Sequence, residues 1–282
     1  MRPSLPLIAA AVAACTDALP SPSTVDVLRV LALTTPTPEP APGGDVTLRA
    51  VWFDPVPGRS VAWRWRLCDP GPADDPRRCA RPTGPMELGS AGDGASVAAS
   101  RIALAAGESA HTWVVWVLAC VGAPAVPSAT EDRLVCPSSV GSEAYRRITV
   151  RRDAPRNANP PIAAWGVGAG PSAQELSDGA DVSLSIAACD GDCAPIALTL
   201  TPSADAAESA SDGPESLLGS IYVSAGSVDP PRRAGDPGSV AAMSFAWSVP
   251  RVVRGAEIAR VWAVLRDQRG GETARAVTLR AR

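Results

Sequence analysis

Two thiols and two carboxylates stand close together in the run Cys189-Asp190-Gly191-Asp192-Cys193, which is the densest group of reactive side chains in the sequence. A structural zinc site needs four nitrogen or sulfur ligands, and neither a second Cys-x-x-Cys nor a histidine pair accompanies the run. A calcium loop would need regularly spaced oxygen ligands and a closing glutamate, which are also missing. A redox-active pair remains open. We predict a turn closed by a disulfide bond, with no metal and no cofactor.

Nucleophilic and acid–base chemistry have few candidates. His111 is the only histidine, and the chain has no Gly-x-Ser-x-Gly motif, so we predict a solvent-facing residue at a strand end rather than a triad member. All 26 basic residues are arginine, which excludes catalysis or phosphate binding by lysine. The glycine-rich run at 166–170 is predicted to be a turn, because no helix follows it. An Asp/Glu pair for glycan hydrolysis remains open, since the separation of two carboxylates is a three-dimensional quantity.

Six of the seven cysteines lie between residues 68 and 193, and their even number predicts disulfide bonds. Local spacing suggests the pairs Cys68–Cys79, Cys120–Cys136 and Cys189–Cys193. The alternative is an Ig-type bridge between Cys68 and Cys120. Strand parity weighs against that bridge, because Cys68 shares a face with Arg64 and Arg66 and should point away from the core.

The elements that carry these residues show the two-residue period of half-buried strands. In the segment 61–68, Trp63 and Trp65 share one face while Arg64 and Arg66 share the other. We therefore predict that the tryptophans are buried and the arginines exposed. Prolines and glycines separate many such short apolar runs, a distribution that favours antiparallel β-sandwiches.

The sequence contains two copies of one pattern, which indicates two copies of one structural plan. The matched segments are 43–54 with 179–190, 112–122 with 259–271, and 147–151 with 276–280. The predicted organisation is a signal peptide at 1–14, a polar spacer at 15–25, a first domain at 26–152, a linker at 153–160 and a second domain at 161–282. An acidic loop at 202–216 and a basic loop at 229–240 are candidate binding loops, or simple surface decoration.

The remaining cysteine, Cys15, ends an apolar N-terminal segment. One positive charge precedes an uncharged stretch at 5–14, which has the length of a signal-peptide apolar region and is too short to cross a bilayer. The residues Val12-Ala13-Ala14-Cys15 resemble the lipobox of bacterial lipoproteins. This resemblance implies cleavage before Cys15, a diacylglycerol on its thiol, acylation of the new amino terminus and a firm membrane anchor. Thr16, in place of aspartate, favours the outer membrane under the enteric sorting rule.

The C-terminal third carries a second resemblance. A strand with the pattern Trp247-x-x-Pro250 precedes a hairpin whose turn reads Asp-x-x-Gly-Gly at 267–271. This arrangement resembles bacterial Ig-like and PKD-like domains, and nearly the full chain is similar to uncharacterised two-domain lipoproteins of GC-rich Gram-negative bacteria. The resemblance implies an all-β fold with two tandem antiparallel Ig-like β-sandwich domains.

Charge and composition narrow the function further. A formal charge of −3 and a pI near 5.3 disfavour nucleic-acid binding. We expect a lipid-anchored cell-envelope protein that serves as a non-enzymatic binding, spacer or assembly module, in contact with the membrane through its lipid and with an unknown envelope protein or glycan. The alternatives are an envelope glycan hydrolase using an Asp/Glu pair, and a secreted soluble protein without lipid.

Overall fold

The computed structural model describes residues 21–70, 86–128, 134–153, 155–168, 173–191, 193–210 and 213–282. Within these ranges it contains 24 β-strands, one 3-10 helix at Ala99–Arg101 and no α-helix. No described helix has the length and apolar character needed to cross a membrane. The predicted all-β class is therefore confirmed.

Residues 21–152, which we call the N-terminal half, form two antiparallel four-stranded sheets, ordered β1-β2-β6-β5 and β10-β7-β3-β4, with β8 and β9 as a separate pair. The strands are β1 (Arg29–Thr34), β2 (Val46–Phe53), β3 (Val61–Cys68), β4 (Met86–Glu87), β5 (Ser90–Ala91), β6 (Gly94–Val97), β7 (Ala110–Val121), β8 (Val126–Pro127), β9 (Leu134–Val135) and β10 (Gly141–Arg151).

The C-terminal half, residues 160–282 in the described ranges, forms two five-stranded sheets and two short strand pairs. The strands are β11 (Ile162–Val167), β12 (Gln174–Glu175), β13 (Asp181–Leu184), β14 (Cys189–Asp190), β15 (Ile196–Pro202), β16 (Ser209–Ala210), β17 (Gly213–Pro214), β18 (Leu218–Val223), β19 (Ser227–Asp229), β20 (Arg232–Ala234), β21 (Met243–Ser248), β22 (Arg251–Val252), β23 (Glu257–Arg266) and β24 (Glu272–Ala281). The sheet orders are β12-β11-β15-β21-β19 and β13-β24-β23-β18-β20, and the β13–β24 ladder is parallel.

Each half has its own apolar core between its two sheets. Buried side chains from residues 28–150 form one core, with Trp65 only 1% exposed, and those from residues 162–281 form the other, around Trp165 and Trp247. Alternation places these side chains inward, because successive residues of a strand point to opposite faces of the sheet. The two cores lie on either side of the predicted linker.

The two halves repeat one strand order. The order β10-β7-β3-β4 corresponds to β24-β23-β18-β20, so the matched segments 112–122 with 259–271 and 147–151 with 276–280 occupy equivalent strands. The match of 43–54 with 179–190 is wrong. β2 lies inside its sheet between β1 and β6, whereas β13 is an edge strand paired in parallel with β24, and β15 is the strand that stands where β2 does. Alternation identifies the faces of a strand but not its neighbours, which explains the error.

The predicted faces of β3 are confirmed. Trp65 lies in the core, Trp63 packs against it, and the ring centroids of the two are 6.4 Å apart. On the other face, both arginines pair with Glu87, Arg64 at 3.0 Å and Arg66 at 2.6 Å. This ion cluster covers the outside of the sheet.

Two disulfide bonds join Cys120 to Cys136 and Cys189 to Cys193, which are two of the three locally spaced pairs. The Ig-type bridge between Cys68 and Cys120 is excluded, because Cys120 is bonded to Cys136. Cys68 is also disulfide-bonded, but Cys79 lies outside the described residues, so that pair stays a prediction. Cys68 has the predicted parity but is 2% exposed, because a face that points away from the core can still be covered by other parts of the chain.

The predicted polar spacer at 15–25 is structured at its end. Residues 21–25, which we call the clasp, lie against the C-terminal half before the chain enters β1. The Val25 amide donates to the Val223 carbonyl at 2.8 Å, and the Val223 amide donates to the Ser23 carbonyl at 2.9 Å. The Ser23 hydroxyl is fully buried and accepts from the Val228 amide at 2.8 Å. Polar composition did not signal this contact, because backbone hydrogen bonds carry much of it.

Candidate functional site: a charged cleft between the two halves

His111 is the second residue of β7 and is held between two carboxylates. Its Nδ1 lies 2.8 Å from Glu108 Oε1 and its Nε2 lies 3.4 Å from Asp69 Oδ2, with the ring packed on Trp113. Its side chain is 28% exposed, so the predicted solvent-facing position is only partly correct. Within the described ranges His111 makes no hydrogen bond to a serine hydroxyl, and the pair of carboxylates gives it an anchoring role.

The Cys189–Cys193 bond closes a short turn on the surface. Asp190 is 78% exposed in its side chain and lies 3.8 Å from Arg251, while Asp192 and Cys15 lie outside the described residues. No group of three or more potential metal ligands occurs in the part of the chain that the structure describes. The described part of the turn places β14 beside β22.

The best organised polar groups lie where the two halves meet. The hairpin turn between β23 and β24, residues 267–271, is inserted against the N-terminal half. Asp267 shapes this turn, because its Oδ1 accepts from the amides of Arg269 at 2.8 Å and Gly271 at 2.7 Å. Its Oδ2 accepts from the side-chain amide of Asn157 in the linker at 3.0 Å. The Asp-x-x-Gly-Gly turn therefore binds the linker as well as closing its hairpin.

Glu39 is the N-terminal half's main contact with this turn. Its carboxylate is 2% exposed, and Oε2 accepts from Arg269 at 2.6 Å, from Arg151 at 3.2 Å and from the backbone amide of Asn157 at 2.8 Å. A buried carboxylate needs such charge-assisted bonds to offset the loss of water. Glu39 thus ties the first half, the linker and the second half together.

Glu272 makes a second charged contact between the two halves. We call this junction, formed around Glu39, Asn157 and the turn at 267–271, the joint. Its Oε2 lies 3.3 Å from Arg146 and accepts from the Leu33 amide at 3.1 Å, and its Oε1 lies 2.5 Å from Arg266. Arg146 is 3% exposed in its side chain and also donates to the carbonyls of Leu33 and Gly270. Burial lowers the pKa of Arg146, although Glu272 opposes that effect.

Apolar side chains seal the joint beside these ions. The cluster joins residues of the N-terminal half to one face of the β18–β23–β24 sheet, and its buried members are Val25, Leu31, Ala32, Tyr222, Trp262 and Val264. That sheet is therefore covered on both faces. A hinge between freely moving domains would expose much of this surface, so the contacts favour a fixed arrangement.

The acidic loop at 202–216 supplies part of the joint. Glu208 and Glu215 lie 3.6 Å and 3.5 Å from the guanidinium of Arg269, and Glu215 is only 3% exposed in its side chain. Burial raises the pKa of Glu215 to about 7, and the negative charges of Asp267 and Glu208 act in the same direction. At least part of this loop is therefore structural rather than a surface decoration.

An open cleft of about 1060 Å³ lies beside the joint and is lined by both halves. Among the residues that the structure describes, seven arginines line it, Arg29, Arg146, Arg147, Arg151, Arg232, Arg266 and Arg269, against five carboxylates, Glu39, Asp69, Glu143, Asp267 and Glu272. The cleft is thus richer in positive than in negative groups, opposite to the sign of the whole chain. Such a cleft can bind an anionic ligand by hydrogen bonds to guanidinium groups.

Sequence reasoning missed most of this site. Glu39 lies in a proline-rich segment without periodicity, and Asn157 lies in a stretch predicted to be only a linker. The one usable signal was the Asp-x-x-Gly-Gly turn. Its aspartate and second glycine indicate a turn that another part of the chain approaches closely. Gly271 does face the linker, since a Cβ there would lie 2.6 Å from the Ala158 carbonyl oxygen.

No protein-family model matches the chain, and no curated protein matches it. A solved structure with some similarity is an adhesin, InvE, of Yersinia pseudotuberculosis, with 13% sequence identity and a TM-score of 0.22. The match covers 90% of this chain and 58% of the adhesin chain. A TM-score this low carries no argument about fold or role.

Proposed function

We propose that the protein is a lipid-anchored cell-envelope protein, favouring the outer membrane, that acts as a non-enzymatic binding module built from two β-sandwich domains held as one body. Cys15 is its anchor. The lipobox resemblance and the apolar segment before it support the anchor, and the joint supports the single body.

The clasp is the observation that carries this proposal. Five residues lie between Cys15 and Ser21, the first residue of the clasp, so six residue steps join the two. A fully extended chain spans at most about 3.6 Å per residue, so an anchor at Cys15 holds the folded protein within about 20 Å of the lipid surface. Both halves are bound to the clasp or to each other, so both are held near the membrane.

Metabolic labelling with palmitate tests the proposal in a Gram-negative host that produces the full chain. We expect label in the wild-type protein and none in Cys15→Ala, with the labelled protein in the outer-membrane fraction. Thr16→Ala is the matched control and should keep its label. Equal label in the wild type and Cys15→Ala, or unlabelled wild-type protein in the medium, would contradict the anchor and favour the secreted soluble form.

A further inference from the structure

We infer that the cleft between the two halves is a binding site for an acidic oligosaccharide, that is, a sugar chain carrying carboxylates. The inference goes beyond the anchor, because it concerns the folded part of the chain and stands whether or not Cys15 carries lipid.

Four of the seven arginines are already committed to two carboxylates. Glu39 binds Arg151 and Arg269, and Glu272 binds Arg146 and Arg266. Arg269 is also faced by Glu208 and Glu215, whereas the Glu272 triad has two guanidinium groups for one carboxylate and so keeps one positive charge. The structural ions of the joint therefore leave the neighbouring cleft positive.

Two further arginines have no carboxylate partner in the described ranges. Arg29 donates to the carbonyls of Pro22 and Thr24 and lies 5.8 Å from the centroid of the Tyr222 ring, so only neutral groups contact it. Arg232 is exposed on β20, opposite Ser220 on β18. Directly paired residues of an antiparallel ladder share a face, so Arg232 lies on the same face of the sheet as Tyr222, the residue whose ring Arg29 approaches. These two guanidinium groups are free to bind carboxylates of a ligand.

The shape of the cleft favours side-chain recognition over strand addition. β10 ends one sheet, but the outer edge of β10 is not open to another strand. Arg146 bonds to the Leu33 carbonyl of β1, the Ser142 hydroxyl accepts from the Val30 amide at 2.8 Å, and Gly270 packs near the Arg147 carbonyl. An acidic peptide therefore has no free main-chain ladder to extend along β10.

Tyr145 supplies a surface suited to a sugar. It lines the cleft from β10 and is 51% exposed. An aromatic ring offers an apolar face and a polar hydroxyl at low conformational cost, and sugar rings stack on such faces while their carboxylates reach nearby guanidinium groups. A volume of about 1060 Å³ holds a ligand of several sugar rings.

Calorimetric titration of the full chain carrying Cys15→Ala tests the inference without the lipid. The probe is a hexamer of galacturonic acid, compared with a neutral maltohexaose, a hexaglutamate peptide and vesicles of phosphatidylglycerol. We expect binding of the galacturonic acid hexamer that weakens as salt is added, and little heat with the other three. Stronger binding of the peptide or the vesicles, or equal binding of the neutral sugar, would overturn the inference.

Matched variants locate the site. Arg232→Gln and Tyr145→Ala should each weaken hexamer binding by about threefold to tenfold, since each loses an exposed contact without a structural partner. Arg233→Gln is the control, because Arg233 is also exposed on β20 but is turned to the opposite face and does not line the cleft. Equal effects of Arg232→Gln and Arg233→Gln would overturn the location. Unchanged melting temperatures show that all three variants fold.

Discussion

A guanidinium nitrogen of Arg269 lies 2.6 Å from Oε2 of Glu39, although 230 residues separate the two in the sequence. Arg269 lies in a hairpin turn of the C-terminal half, and Glu39 lies in the loop after β1. The pair therefore spans the joint. Its carboxylate is 2% exposed, so water does little to weaken it.

Glu39→Gln should destabilise the whole protein. The change removes the negative charge between Arg151 and Arg269, and only the more distant carboxyl groups of Glu208 and Glu215 then face Arg269, at 3.6 Å and 3.5 Å. We expect a loss of about 2–4 kcal/mol in the free energy of unfolding, measured with urea. Asp190→Asn is the control, because Asp190 is 78% exposed and its ion pair should be worth little. Equal losses in the two variants would show that Glu39 contributes no more to stability than an exposed carboxylate does.

Stability should fall as the pH rises from about 5 to about 7. In this range the unfolded chain has already released the proton of Glu215, whereas the folded protein retains it because its pKa is raised to about 7. Unfolding thus releases a proton, and higher pH favours the unfolded state. Carboxyls with a lowered pKa, such as those of Asp54 and Glu87, change stability only in more acidic solution.

Glu215→Gln should flatten this pH dependence and raise the stability above pH 7. The measurement is the urea midpoint across the pH range. Asp205→Asn, in the same loop and exposed, is the control and should leave the slope unchanged. A slope that survives Glu215→Gln would assign the proton to another group.

Gly271→Ala should weaken the joint directly. Its new Cβ would meet the Asp267 carboxylate and lie 2.6 Å from the Ala158 carbonyl oxygen, so the turn and the linker must separate. We expect a destabilisation of about 2–4 kcal/mol. Gly89→Ala, where a Cβ meets nothing within 4 Å, is the control and should cost under about 1 kcal/mol. A neutral Gly271→Ala would show that the linker can move away.

Ser23→Ala should loosen the clasp. The buried Ser23 hydroxyl accepts from the Val228 amide, so its removal leaves that amide without its partner at a cost of about 1–2 kcal/mol. Hydrogen exchange should accelerate at the amides of Val25 and Val228 and not in the N-terminal core. Ser227→Ala, beside the same strand position, should leave exchange unchanged. Equal exchange in both variants would contradict a specific role for Ser23.

The sequence predicted the strands and the buried face of each strand better than it predicted which strands lie side by side. Trp65 is buried and Arg64 lies on the opposite face as alternation requires, although Arg64 is only half-exposed, and the hairpin at 261–280 forms where the Asp-x-x-Gly-Gly turn stands. The match of 43–54 with 179–190 as equivalent strands was wrong, because a two-residue period contains no information about which strand lies alongside.

The joint could not be predicted, because its contacts join residues far apart in the chain. Glu39 resembles any acidic residue in a proline-rich loop, and its burial depends on a turn more than two hundred residues away. The acidic loop at 202–216 looked solvated for a similar reason, since the partner of Glu215 lies in the β23–β24 turn. Local composition predicts whether a residue is exposed only where contacts with distant parts of the chain do not bury that residue.

The central claim is that the two halves form one body with a shared cleft, and the distance between them tests it most directly. Spin labels carried on unnatural amino acids at Val56 and Arg254, both exposed, would report this distance in the full chain. We predict a single narrow distance distribution that broadens when Glu39→Gln and Glu272→Gln are combined. A broad distribution in the chain with an intact joint would contradict the account.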